Sequence, residues 1–304
     1  MEKFEVKILG CGSALPTTRL NPTSQIINFR DNLFLVDCGE GTQLQMRHMQ
    51  LKFSRLSHIF LSHLHGDHCF GLIGLISTLG LLNRTGDLYI HAHPDAGKVF
   101  RPLLDYFCAG LPFEVVFNPI APQTHSVILD ERSYRVSSIP LKHRVPTCGF
   151  LFEEKPGLRH IVKESIDFYQ VPVKMLLPIK EGADYITPEG KVIANELLTK
   201  PANPARKYAF CSDTAYTESI IPYIEGVDLL YHEATFSEAD KARAKQTMHT
   251  TALQAAKIAE QAQVKQLIIG HFSARYTDLS GLLAEAQSGF VNTVLAKEGH
   301  TYRV

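Results

Sequence analysis

The residues best equipped for chemistry lie in one six-residue run, His63-Leu64-His65-Gly66-Asp67-His68, directly after the apolar stretch His58–Ser62. In an extended segment alternate side chains point the same way, so His63 and His65 can converge on one ion. The chain turns at Gly66, and Asp67 and His68 can reach a second ion. Imidazole nitrogen with carboxylate oxygen suits Zn²⁺, or Mn²⁺ as a harder alternative, and the absence of nearby thiolate pairs argues against iron–sulfur chemistry. With 14 histidines and 13 aspartates in 304 residues, HxHxDH arises by chance in about one such chain in a thousand. The competing reading is a solvated, histidine-rich turn.

Six residues cannot complete two coordination shells, so further donors are expected at strand ends elsewhere. His143 follows the strand-like YRVSSIPLK, Asp213 ends YAFCSD, and His271 ends QLIIGH. Each is a polar donor at the end of an apolar run, where an open sheet edge places functional residues. Alone, each reads first as a turn or capping residue; beside HxHxDH they read as ligands. Two divalent ions about 3.5–4 Å apart would lower the pKa of a bridging water.

The elements that must position these donors follow from pattern. Strands are expected at Phe4–Leu9, Gln25–Phe29, Asn32–Val36, His58–Ser62, Leu88–Ala92, Phe113–Phe117, Ser126–Leu129, Tyr134–Pro140 and Gly149–Glu153. A helix is expected from Gly41 to Gln50, and another after HLHGDH to about Leu82. Later come strands Tyr208–Cys211, Asp228–Tyr231 and Gln266–Gly270, with helices near Ser237–Lys245 and Thr250–Gln263. Many strands first, then alternating β and α, predicts packed sheets with helices outside. Residues 156–204 differ: they carry Pro156, Pro172, Pro178, Pro188, Pro201 and Pro204 and show no sustained period. Such a stretch reads as a functional insertion or arm.

At this point the chain resembles a known family. HLHGDH with the later His, Asp and His is similar to the metallo-β-lactamase superfamily. DCGEGTQLQ (Asp37–Gln45), KHRVPTCGF (Lys142–Phe150), CSDT (Cys211–Thr214), HEAT (His232–Thr235), MHTT (Met248–Thr251) and GHFSARY (Gly270–Tyr276) resemble its ribonuclease Z branch, which trims tRNA 3′ ends. The resemblance implies an α/β (α+β) chain folded as a four-layer αββα sandwich, one domain over residues 1–304 with a tRNA-binding arm inserted at 156–204, normally a homodimer. It implies two zinc ions per subunit, one held by His63, His65 and His143 and one by Asp67, His68 and His271, with Asp213 bridging. Asp67 is implied as the proton acceptor for the attacking water. His249 is the candidate donor to the departing ribose oxygen, held by Glu233, a pairing implied by HEAT and MHTT rather than by spacing. Alone, His249 would read as a helix cap.

Other residues are weighed against the same frame. Asp37 is expected to hydrogen-bond the ligand-bearing loop without ligating. Ser13, Arg19 and Arg275 could meet RNA phosphate or simply be solvated. His91 and His93, a bare strand pair, are expected to be structural, and His48, His58, His125, His160, His232 and His300 show no convergent partners. The family's arm commonly carries a Gly-Pro element; here it has none, and Lys174 and Lys180 are the candidate phosphate contacts. A grip on RNA calls for basic residues along an extended hairpin, yet six basic and six acidic residues balance between Pro156 and Lys200. The alternative is a subunit-contact hairpin.

Composition bounds the rest. The chain is 45% hydrophobic and 20% charged, with 31 basic and 31 acidic residues. This excludes disorder and argues against a nonspecific nucleic-acid coat. The apolar run Phe70–Leu82 is broken by glycines and too short to cross a bilayer. MEKFEVKILG opens on strand-like alternation rather than a leader, so the cytoplasm is the expected location. Six singly placed cysteines suit reduced, buried thiols. The expected function is removal of the 3′ trailer of precursor tRNA, with neither membrane nor DNA as partner. Alternatives are a hydrolase of small phosphodiesters or another ester on the same metal site, and a non-catalytic RNA-binding or scaffold subunit, which should show damaged ligands.

Overall fold

In Asn32–Cys38 the odd residues Leu33 and Leu35 face one way and Phe34 the other, and all are buried. A strand covered on both faces belongs inside a layered structure. The computed structural model describes residues 3–304. The chain divides into two compact units. The first comprises the chain up to Asp130, Val136–Phe152 and Lys207–Val304; the second comprises Glu131–Arg135 and Glu153–Arg206.

The first unit holds two seven-stranded sheets. One contains β1 (Phe4–Gly10), β2 (Ser24–Phe29), β3 (Asn32–Cys38), β4 (Leu56–Phe60), β5 (Leu88–Ala92), β6 (Val115–Pro119) and β18 (Thr301–Arg303), in the order β18-β1-β2-β3-β4-β5-β6. Its first four strands pair antiparallel. From β3 to β6 pairing is parallel, and the required crossovers are helical: α1 (Thr42–His48), then α2 (Gly66–Cys69) with α3 (Leu72–Leu81), then α4 (Asp95–Phe107). The other sheet runs β17-β16-β15-β14-β9-β8-β7, from β7 (Val127–Asp130), β8 (Tyr134–Pro140), β9 (Cys148–Glu154), β14 (Lys207–Cys211), β15 (Leu229–Glu233), β16 (Gln266–Gly270) and β17 (Thr293–Leu295). Strands β14 to β17 are parallel, linked through α8 (Ile221–Ile224), α9 (Lys241–Thr247) with α10 (Ala252–Gln261), and α11 (Ser280–Gly289).

Burial sorts the faces into four layers. Leu33, Leu35, Ile59, Leu61, Leu88 and Ile90 share a core with Met46 of α1, Leu72, Leu75 and Leu79 of α3, and Phe100 of α4. The opposite face meets the second sheet: Phe60 lies 5.4 Å from Phe150, and Phe34 stacks on Phe152 at 6.1 Å. Helices α10 and α11 cover the outside of the second sheet. This is the αββα sandwich expected.

Several boundaries differ from the sequence reading. The helix expected through Leu82 is interrupted at Phe70 and Gly71, where the Gly71 amide bonds the Cys38 carbonyl at 2.9 Å. The strand expected at Phe113–Phe117 sits two residues later. Helices α4 and α11 went unassigned. In α4, Gly97 and Pro102 read as breakers, yet Ala96, Phe100 and Leu104 form a buried i, i+4, i+8 stripe.

The second unit has its own small core of Val171, Ile179, Tyr185, Ile193 and Leu198. It contains α5 (Lys163–Phe168), α6 (Leu176–Lys180) and α7 (Asn195–Leu198), with β10 (His160–Ile161) paired to β13 (Thr199–Lys200) and β11 (Tyr185–Ile186) to β12 (Val192–Ile193). Buried Asn195 ties it together, donating to the carbonyls of Ile179 and Ala183 at 2.7 Å each. Elements of two to six residues are too short to show a period, so the segment reads as patternless in sequence.

Candidate metal centre

The candidate donors leave carboxyl ends of strands in the first unit. His63 and His65 follow β4, His143 follows β8, Asp213 follows β14 and His271 follows β16. Asp37, Asp213 and His271 have φ of 56°, 54° and 59°, a left-handed conformation that Asp and His tolerate better than most residues. Neighbours hold it in place: Asp37 accepts from the Ser62 amide at 2.7 Å, and His271 Nδ1 meets Thr235 Oγ1 at 2.9 Å. The DCGEG loop seats on the ligand turn through Gly39, where a Cβ would lie 2.6 Å from the Asp67 carbonyl oxygen.

The seven expected ligands come together as two groups. His63, His65, His143 and Asp213 form one and Asp67, His68 and His271 the other, each with donor atoms within 4.8 Å of one another. Asp213 faces the second group as well, and with His249 and His271 it forms a third such group. Its Oδ2 lies 3.7 Å from Nε2 of His63 and of His143, and its Oδ1 lies 3.1 Å from Nε2 of His68 and of His271. His63 Nε2 and His65 Nδ1 approach to 2.9 Å, and Asp67 Oδ2 lies 3.5 Å from His68 Nε2 and 3.6 Å from His271 Nε2.

The outer nitrogens are held from behind. His68 Nδ1 lies 2.7 Å from Asp37 Oδ2, His143 Nδ1 lies 3.0 Å from the Met248 carbonyl, and His63 Nδ1 lies 3.0 Å from Ser62 Oγ. A histidine whose Nδ1 donates backward presents Nε2 as a ligand. The buried Nε2 atoms of His68, His143 and His271 accordingly have no hydrogen-bond partner among the described residues. Orphaned nitrogens around a shared carboxylate fit divalent cations, and nitrogen with oxygen donors fits zinc.

Charge tells the same story. Burial alone would neutralise Asp213, but His271, His68 and His63 hold its carboxyl well below the usual range. Burial opposes charge on His68, yet Asp213, Asp37 and Asp67 hold its imidazolium well above the ordinary value. His63 is driven well below it by burial and by the charge of His68. A buried nest of carboxylates calls for positive charge, which a divalent cation supplies more strongly than one imidazolium.

Beside this cluster, Glu233 is sealed at the end of β15 and accepts from the amides of Thr214 (2.8 Å) and Thr250 (3.1 Å) and from Thr235 Oγ1 (2.5 Å). Its Oε1 lies 2.7 Å from His249 Nδ1. Burial opposes charge on His249, but Glu233 raises its pKa to about 9. His249 lines a cleft of about 530 Å³ together with His65, Asp67, His143, Asp213 and His271.

The remaining candidates lie elsewhere. Ser13, Arg19 and Arg275 do not line the cleft; Arg19 Nη1 donates to the Thr277 carbonyl at 2.9 Å, and Arg275 pairs with Asp240 at 3.3 Å. His93 borders a different cavity with Lys98 and Arg101. His58, read as lacking a partner, meets His91 with Nδ1 and Nε2 3.0 Å apart; strands β4 and β5 bring them together, which no local spacing reveals. His232 bonds the Glu233 carbonyl and is structural. The sequence reading gave no role to the rim of the cleft, Phe70, Glu40 and Arg144, although Phe70 lies two residues past HLHGDH and Glu40 and Arg144 lie inside quoted motifs.

A family model described as "Anti-Pycsar protein Apyc1" matches residues 4–100. Ribonuclease Z of Parabacteroides distasonis is 62% identical over 299 residues, covering 98% of each chain. Ribonuclease Z of Bacteroides thetaiotaomicron is 60% identical over 298 residues, covering 98% of this chain and 94% of that one. Among solved structures, human tRNase Z, short form (ELAC1), superposes with a TM-score of 0.71 at 24% identity, covering 98% of both chains. The metallo-β-lactamase fold protein YhfI from Bacillus subtilis gives 0.69 at 20% identity, covering all of both. With the fold shared with those structures and identity near 60% sustained along almost its whole length, the chain belongs to the ribonuclease Z family, on a metallo-β-lactamase fold.

Proposed function

We propose that this chain is a zinc-dependent endoribonuclease that removes the 3′ trailer of precursor tRNA after the discriminator nucleotide. It leaves a 3′-hydroxyl on the tRNA and a 5′-phosphate on the trailer. The observation that carries the reading is the Asp213 carboxylate, whose two oxygens face two separate groups of donors on one cleft. His63, His65 and His143 would hold one zinc ion and Asp67, His68 and His271 a second, with Asp213 between them. When bound, such ions neutralise the phosphodiester and lower the pKa of the attacking water.

The protein's own groups supply the proton transfers. The Ala14 amide donates to Asp67 Oδ2 at 2.7 Å and fixes this carboxylate. Asp67 accepts a proton from the attacking water as the new phosphorus–oxygen bond forms. The bond from phosphorus to the ribose 3′ oxygen breaks, and that oxygen takes a proton from His249 Nε2. Glu233 positions the imidazole by engaging Nδ1. Residues 156–204 serve as the tRNA-binding arm, with Lys174 and Lys180 on phosphate, and the enzyme works as a cytoplasmic homodimer without DNA. No helix among the described residues is long and apolar enough to cross a membrane.

The test compares precursor tRNA with bis(p-nitrophenyl) phosphate, using the parent, Asp67→Ala and a form shortened over 156–204. A single cut after the discriminator is expected from the parent, with Asp67→Ala inactive on both substrates and the shortened form active on the small ester alone. A parent that hydrolyses the ester and leaves precursor tRNA whole would overturn the substrate assignment.

A further inference from the structure

Phe70 is 73% exposed and stands on the rim of the metal cleft, which Asp67, His271 and Arg144 also line. It is the residue at which the one-turn helix α2 ends, and its amide bonds the Gly66 carbonyl at 2.9 Å. Its ring rests directly on Gly66: a Cβ there would fall 2.3 Å from the ring's Cε2. The missing side chain inside the ligand motif is thus what lets an aromatic ring sit down on the ligand turn. Exposing such a ring is unfavourable in the free protein, and its chain neighbours Cys69 and Leu72 are buried while it is not.

We propose that Phe70 is a stacking platform for the base of a nucleotide flanking the scissile phosphate, and so a positioning residue that sets the cleavage register. The proposal rests on the RNA-cleavage reading above. Unpaired RNA presents bases that stack on aromatic side chains. Phenylalanine has neither donor nor acceptor, so the stack tolerates any base. Because Phe70 is three residues from Asp67 on the same turn, a base held on its ring is tied to the group that faces the reacting phosphorus.

The experiment measures kcat/KM and the cut position on precursor tRNA for the parent, Phe70→Ala, Phe70→Leu and Phe70→Trp. Matched substrates carry an abasic residue on one or the other side of the scissile phosphate. Phe70→Ala is expected to lose ~5- to 150-fold, the range of one base–aromatic stack, and to spread the cut to neighbouring phosphates. Phe70→Trp should stay within a few-fold of the parent. Phe70→Leu, which keeps an apolar side chain over Gly66 without a π-face, should resemble Phe70→Ala. One abasic substrate should cost the parent a similar factor and cost Phe70→Ala little more. Equal losses by Phe70→Ala on intact and both abasic substrates would overturn the stack, as would Phe70→Leu matching the parent. A change in sedimentation accompanying a base-independent loss would assign the ring to a contact between copies of the chain instead. A parent that leaves precursor tRNA whole sinks the underlying reading and this proposal with it; a parent and Phe70→Ala that cut alike sink the stack alone.

Discussion

His68 Nδ1 lies 2.7 Å from Asp37 Oδ2, and both side chains are sealed from solvent. Asp37 also accepts from the amide and hydroxyl of Ser62, at 2.7 and 2.9 Å. This carboxylate therefore keeps a proton on Nδ1 and aims His68 Nε2 at Asp213, 3.1 Å away. It is a positioning residue for the second group of donors.

Asp37→Asn replaces an obligate acceptor with a side chain that can also donate, so the tautomer of His68 is no longer enforced. Metal affinity at the second position is expected to fall by roughly 10–100-fold. Chelator titration of the variant should show one weak and one parent-like ion per chain. Two parent-like ions would show that Asp37 does not set the ligand.

The His249–Glu233 pair makes a prediction about the leaving group. His249→Ala should lower kcat on precursor tRNA by ~10²–10⁴-fold, the usual range for a general acid. A substrate with sulfur in place of the departing 3′ oxygen needs no proton on that atom, so most of the loss should disappear. A defect of equal size on both substrates would assign His249 to substrate placement instead.

The donors were legible because four of the seven sit together in HLHGDH and the other three follow apolar runs that read as strands. Asp213 shows the limit: its residue type and strand-end position were visible, but its division between two groups of nitrogens depends on β14 lying between β9 and β15. His58 and His91 show the same limit, since a cross-strand pair 33 residues apart leaves no spacing to read. The second unit was illegible for another reason. Its core rests on five side chains spread over short elements, so no window holds enough apolar residues to show a period.

Gly71 tests the packing beneath the ligands. Its amide bonds the Cys38 carbonyl at 2.9 Å, and a Cβ would lie 2.1 Å from the Gly39 oxygen. No flexible side chain is there to yield, so Gly71→Ala must part the DCGEG loop from the HLHGDH turn. Overpacking of this kind costs about 1–3 kcal/mol, and denaturant unfolding of the metal-free protein should show it. Unchanged stability would mean that the two loops can separate freely.

The His58–His91 pair predicts how acid affects stability. Burial lowers His91 to about 3, with His58 adding to the shift; burial and then Arg84 lower His58 to about 4, both from an ordinary 6.5. The unfolded chain takes up protons at these histidines as pH falls through 6.5, while the folded chain resists until near 4 and then 3. Their contribution is therefore intact above about pH 6.5 and is lost progressively as pH falls toward those lower values. For buried His91 the slope is at most about 1.4 kcal/mol per pH unit; partly buried His58 adds less. His91 stacks on Phe60 at 14° and His58 on Tyr89 at 22°, so phenylalanine can take both places without opening a cavity. The doubly substituted His58→Phe, His91→Phe protein should lose less stability than the parent between pH 7 and pH 5 in urea titrations. The carboxylates and the metal-centre histidines are common to both proteins and cancel in the comparison. Parallel curves would show that the pair is solvated enough to charge in the folded state.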